Sequence, residues 1–100
     1  MGKYKLTKRA VQDLKEIWNY TFDKWSEKQA DKYFRELLSR CSEIADEPLS
    51  GKSYNNLIEG LRGTKVSRHL IFYRQLTKDE IEIERILHER MDLKSKFKND

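Results

Sequence analysis

The sequence is short of the residues that cross-link or punctuate a chain. It has one cysteine, Cys41, one proline, Pro48, and four glycines. A single cysteine excludes an intrachain disulfide and fits a reducing compartment. No apolar run approaches the roughly 20 residues of a membrane span. The start, Met1-Gly2-Lys3-Tyr4-Lys5-Leu6, lacks the apolar stretch of a secretory signal, and Leu6 stands where a myristoylation signal wants Ser or Thr. A cytoplasmic chain with no membrane partner is expected. Two histidines, His69 and His88, plus one cysteine cannot fill a zinc site at a standard spacing. Gly60-Leu61-Arg62-Gly63 follows no strand-to-helix turn, so it is not a phosphate loop. No metal and no other cofactor is expected. Charge of a single sign is lacking too. With 21 basic and 17 acidic residues the net charge is +4, which permits an acidic partner without demanding nucleic acid. Direct sequence-specific nucleic-acid binding is not expected.

What is present is pattern. One hundred residues make one small domain with a modest core. Hydrophobic residues are 37% and charged ones 38%, so a core has to come from spacing rather than bulk. Tyr4-Lys5-Leu6 reads as a short extended edge, with Thr7 as a helix N-cap. From Lys8 to Trp25, Val11, Leu14, Trp18, Phe22 and Trp25 recur at intervals of three and four, with Ala10 and Ile17 beside them. Trp18 and Trp25 are read as core anchors. Ser26-Glu27-Lys28-Gln29 has the form of a capping box and starts a second helix. Its stripe is Ala30, Tyr33, Phe34, Leu37, Leu38, Cys41, Ile44 and Ala45, ending before Pro48. Cys41 is thus a buried, inert thiol. With almost no loop between them, the two helices form an antiparallel hairpin.

Residues 48–60 read as a loop, with a short extended piece near Leu57-Ile58. Leu61 to Val66 forms a strand that returns through Ser67-Arg68. His69 to Leu76 is β-branched, aromatic and nearly continuously apolar, which suits a strand covered on both faces, with Tyr73 in the core. Thr77-Lys78-Asp79-Glu80 is a hairpin turn. Ile81 to His88 alternates, with Ile81, Ile83 and Leu87 on one face and Glu82, Glu84 and His88 on the other. The class is therefore α+β, in the order β-α-α-β-β-β, with a helix hairpin on a mainly antiparallel sheet. The domain spans residues 1–92, and residues 93–100 form a basic, frayed tail.

Gly60-Leu61-Arg62, His69-Leu70-Ile71-Phe72-Tyr73-Arg74, Ile83 and Ile86-Leu87-His88-Glu89-Arg90-Met91-Asp92 together resemble the ParE branch of the RelE/ParE toxins. Leu6-Thr7, Ala10, Asp13-Leu14, Ile17-Trp18-Asn19-Tyr20 and Gln29-Ala30-Asp31 fit the same pattern, so the resemblance covers about residues 4–92. It implies the toxin of a type II toxin–antitoxin pair, neutralised by a cognate antitoxin whose C-terminal segment wraps it. ParE-like members poison DNA gyrase, whereas RelE-like members cut mRNA in the ribosomal A site.

Cutting RNA through its 2′-hydroxyl needs a base, an acid and a cation for the charge on phosphorus. Were this chain such an RNase, Glu47, Arg68, Arg74 and His88 are its candidate residues. The set departs from the RNase pattern. Leu70 stands where those members place an arginine, and Glu89-Arg90 replace their terminal His-Tyr. His88 falls one residue early, and one residue turns a strand side chain to the opposite face. No residue is therefore assigned a catalytic role and a non-enzymatic inhibitor is expected, with DNA gyrase as the target that the resemblance implies. Arg62, Lys65, Arg68, His69, Arg74, Arg85, His88, Arg90, Met91 and Asp92 are assigned to target binding. A ribosome-dependent RNase and a non-toxic binding module are the two alternatives.

Overall fold

The structure is a computed structural model that describes residues 2–98. The order is β1 (Lys3–Leu6), α1 (Lys8–Lys24), α2 (Glu27–Asp46), β2 (Lys52–Ser53), β3 (Arg62–Val66), β4 (His69–Thr77), β5 (Glu80–His88) and α3 (Leu93–Lys98). The strands make one sheet in the order β1-β5-β4-β3-β2. Its pairings are antiparallel except β1, which lies parallel to β5 on the edge. The α+β architecture expected from spacing is present, with a two-residue strand and a short last helix in addition.

Capping side chains fix both main helices. Thr7 accepts from Ala10 N–H, and Ser26 accepts from Gln29 N–H, as the cap signals require. The hairpin covers one sheet face. There Ala10, Leu14, Leu37, Cys41, Ile44 and Ala45 meet Ile71, Tyr73, Ile81, Ile83 and Ile86. The other face has its own small cluster of Leu61, Phe72, Leu87 and Phe97 under Tyr54, Leu57, Ile58, Leu70 and Leu93. Strand β4 is thus covered on both sides only at Ile71, Phe72 and Tyr73, and its far end, including Leu76 of the apolar run, is exposed.

Four details differ from the sequence reading. The first helix buries Ala10, Asp13, Leu14 and Thr21, while Val11, Phe22 and Trp25 are exposed and Trp25 is 70% accessible. Small side chains let α1 lie close to the sheet, so the aromatic stripe faces outward. Trp18 is not a core anchor. Its indole N–H donates to Asp31 across the hairpin, and its ring stacks on Phe22 at 5.2 Å. The second detail is Leu87. A β-bulge at Glu84 lets Phe72 pair with Arg85 but Tyr73 with Ile83. The extra residue reverses the alternation. Ile86 therefore joins Ile81 and Ile83 under the helices, and Leu87 goes to the opposite cluster. Third, the extended piece of the 48–60 loop is Lys52–Ser53, while residues 55–57 turn. Tyr73 fixes this loop, its hydroxyl donating to Pro48 C=O and accepting from Gly51 N–H, so that a Cβ at Gly51 would strike that hydroxyl. Fourth, residues 93–98 form a helix rather than a frayed end. Asp92 C=O accepts from Lys96 N–H, and Phe97 is buried edge-on to Phe72 at 5.1 Å. The last two residues of the expected tail lie outside the described residues.

Candidate functional site

The end of the sheet where β3 turns into β4 and β5 stops gathers most of the expected contact residues. Ser67 adopts φ 54°, the left-handed conformation that a tight two-residue turn needs. That turn presents Arg68. His69 then falls opposite His88, with ring centroids 5.3 Å apart and planes at 81°. Lys65 pairs with Glu89 at 3.0 Å and holds that carboxyl below its usual range. Arg90 and Met91 follow on the surface, and Asp92 immediately precedes α3.

The two histidines are wired differently. The Tyr33 hydroxyl lies 2.7 Å from His69 Nδ1 and 3.1 Å from Val66 C=O. It has one proton, and the carbonyl only accepts, so both contacts are satisfied when His69 Nδ1–H is the donor to Tyr33. The His69 Nε2 lone pair is then free to accept. In His88, Nδ1 accepts from Arg90 N–H, which leaves Nε2–H as a donor. Burial, with His88 beside it, pushes the His69 imidazole down to about 4. The same desolvation raises the Tyr33 phenol.

Three assigned residues lie elsewhere. Arg62 donates to Leu49 and Gly51 carbonyls and straps the 48–51 turn to the sheet. Arg74 approaches Glu84 at 3.6 Å on the half of the second face beyond Phe72. Burial and the hydrogen bond with Glu82 push the Glu84 carboxyl up to about 7, against the pull of Arg74. Arg85 turns toward α1, where its Nε and Nη2 grip the two Asp13 oxygens at 2.8 and 3.0 Å. The four RNase candidates do not converge. Arg68 and His88 share the turn end, Glu47 caps the far end of α2, and Arg74 lies roughly 17 Å along β4 from His69 at strand rise. Cys41 is fully buried, its thiol pushed up to about 12, and so is inert. Among the described residues no group of three or more His, Cys, Asp or Glu could hold a metal ion.

Two features escaped the sequence reading. Asp13 is 6% exposed. Besides holding Arg85 it accepts from Ile86 N–H at 3.0 Å, so it closes a sheet edge that β1 is too short to cover. A buried acid at a core position of α1 was the available signal. The second is a groove of about 480 Å³ between α1 and the end of β5. Ile17, Tyr20, His69, Ile86, His88 and Met91 line it. Only the packing of α1 against β5 creates it.

The family model described as "ParE toxin of type II toxin-antitoxin system, parDE" matches residues 4–93. The chain is 37% identical over 95 residues to Toxin ParE1 of Caulobacter vibrioides, covering 95% of this chain and 97% of that one. It is 35% identical over 92 residues to Toxin ParE1 of Mycobacterium tuberculosis, covering 92% and 94%. To Toxin ParE of Escherichia coli it is 30% identical, with 97% and 94% covered. A solved structure titled "Chromosomal ParDE TA system from P. aeruginosa" superposes with a TM-score of 0.74 at 20% identity, covering 88% of this chain and 96% of that one, and so shares the fold. With its helix hairpin on a five-stranded sheet and these relatives along nearly its whole length, the chain belongs to the ParE toxin family of type II toxin–antitoxin systems.

Proposed function

We propose that this chain arrests growth in the cytoplasm by binding DNA gyrase and stalling it on DNA, and that a cognate antitoxin neutralises it by covering the toxic surface. Binding rather than chemistry is the reading because the cation, base and acid that RNA cleavage needs are spread over the molecule. Glu47, Arg74 and the Arg68–His88 end are separate places, and Arg74 is occupied by Glu84. The contact surface we assign is the turn end, where Lys65, Arg68, His69, His88, Arg90 and Met91 sit together. Arg68 and Arg90 are exposed there, so they are free to meet an acidic surface. Arg62, Arg74 and Arg85 act chiefly inside this chain.

The test is a supercoiling assay with purified toxin beside a ribosome-bound mRNA cleavage assay. Inhibition of gyrase that the antitoxin reverses, with the transcript intact, is expected. Arg68→Ala combined with Arg90→Ala should lower inhibition by at least about tenfold, the equivalent of 1.4 kcal/mol. A cut transcript, with cutting abolished in His88→Ala, would overturn the reading in favour of an RNase. That alternative draws on one observation, the complementary acceptor and donor that His69 and His88 present side by side.

A further inference from the structure

The second face of the sheet carries a basic element, α3, outside the turn end. Leu93 and Phe97 lie one turn apart, so they share its inner side, against Leu61, Phe72 and Leu87. A helix this short does not hold itself together in water, so that contact fixes it in place. Lys94, Ser95 and Lys96 are exposed on its remaining sides. Lys94 stands on one flank beside Asn56 and Leu57. Ser95 and Lys96 stand on the other, at a cleft they share with Arg9, Gln12 and Arg85. Neither lysine has an ion pair among the described residues. The neighbouring acids are engaged: Asp13 by Arg85, Glu16 by Gln12 at 3.5 Å, and Asp92 by Ser95 N–H at 3.5 Å. Helix α3 itself carries no acid.

This chemistry suits a polyanion rather than a protein. Protein interfaces are built on aromatic and arginine anchors and are poor in lysine. Here the one aromatic, Phe97, is turned inward, and lysine with small polar groups faces solvent. Lysine is a compact point charge on a flexible stem, which meets a row of phosphates without demanding a fixed geometry. Six helical residues extend about 9 Å, and one DNA strand places a phosphate every ~3.4 Å of axis, so α3 covers about two or three of them. Contacts to phosphates position a duplex and carry no sequence readout.

We infer that α3 is a second contact surface, which binds the phosphate backbone of duplex DNA without regard to sequence. The source of that duplex rests on the gyrase reading above: it is the DNA of the stalled complex. The turn end meets the enzyme while α3 lies on the duplex beside it.

Anisotropy of a short fluorescent DNA duplex, titrated with purified toxin in the absence of gyrase, tests it. Wild-type affinity is expected to fall by at least about tenfold between ~50 and ~200 mM salt, as the release of two counterions requires. Lys94→Gln combined with Lys96→Gln should flatten the slope of log affinity against log salt by about 1.8. Lys94→Arg combined with Lys96→Arg keeps the charge and should keep the slope. Both pairs change exposed side chains, so thermal unfolding should stay as in wild type. A duplex of scrambled sequence should bind equally. Absence of binding at the lower salt, or a slope that the glutamine pair leaves unchanged, overturns the inference. So does displacement of the DNA by poly-glutamate at equal charge, which assigns the face to an acidic protein. Gyrase inhibition by a toxin that does not bind the duplex overturns the α3 contact and leaves the gyrase reading standing. Duplex binding by a toxin that does not inhibit gyrase supports the α3 contact and overturns the gyrase reading.

Discussion

Single residues settle which charges are structural and which face outward. The Asp13 and Arg85 side chains are 7% and 13% exposed and share a bidentate bond, and Asp13 also holds a backbone amide. Removing one partner leaves a buried charge without its counterpart. Asp13→Ala is expected to cost about 3–5 kcal/mol in urea unfolding, and Arg85→Ala a similar amount. Glu84 and His69 give opposite pH slopes. The folded Glu84 carboxyl titrates at about 7, above its unfolded value near ~4.3. Its proton is bound in the folded state and absent in the unfolded one between those values. The stability it contributes is present below the lower value and lost as pH rises through the upper one. Glu84→Gln should therefore flatten the fall between roughly pH 5 and 7 and gain about 1 kcal/mol at pH 8. The folded His69 ring titrates at about 4, below its unfolded value near ~6.5. Its contribution is present above the upper value and lost as pH falls through the lower one. His69→Gln should remove that loss in acid. Unfolding measured at several pH values in the two variants separates the slopes.

Among the elements, α1 and α3 carry the information that spacing hides. Helix α1 has an apolar residue on nearly every side, so its period is plain while its buried face is ambiguous. Large side chains at Val11, Trp18, Phe22 and Trp25 suggest one face, yet the sheet takes the face of Ala10, Leu14 and Ile17. Close approach favours the small residue over the large one. Helix α3 shows the reverse situation. Alternating lysines hide one aromatic, Phe97, that completes the second cluster against Phe72. Phe97→Ala should cost about 3 kcal/mol and release residues 93–98 to fast amide exchange while α1 and α2 keep their protection. Thr7→Ala removes both the cap of α1 and the bond to Glu84 C=O, and should cost about 1–2 kcal/mol by thermal unfolding.

At the scale of the whole molecule, +4 of net charge and an exposed Arg68 and Arg90 favour an acidic partner. Association with the antitoxin should slow as salt rises. Arg68→Glu together with Arg90→Glu should lower the association rate by about tenfold and change dissociation less, as stopped-flow mixing at several ionic strengths will report. Among the described residues no helix is long and apolar enough to cross a membrane. The two α1 faces also divide the molecule's surface. One lines the groove through Ile17 and Tyr20, and the other leaves Phe22 and Trp25 in solvent.

By itself the sequence determined α1 and α2 with their caps, the strands β1, β3, β4 and β5, and the inert cysteine. Each of these depends on local spacing or on one residue's chemistry. The second helix was legible residue by residue, because Ser26, the stripe from Ala30 to Ala45 and Pro48 all agree. Tertiary structure alone decided which face of α1 is buried, where the bulge at Glu84 redirects Leu87, and that Asp13 closes an edge beside an open groove. The bulge is a matter of register between two adjacent strands, and the contact of Asp13 with Ile86 joins segments 73 residues apart. No local period encodes which of two apolar faces meets a distant strand, because that choice is made by packing.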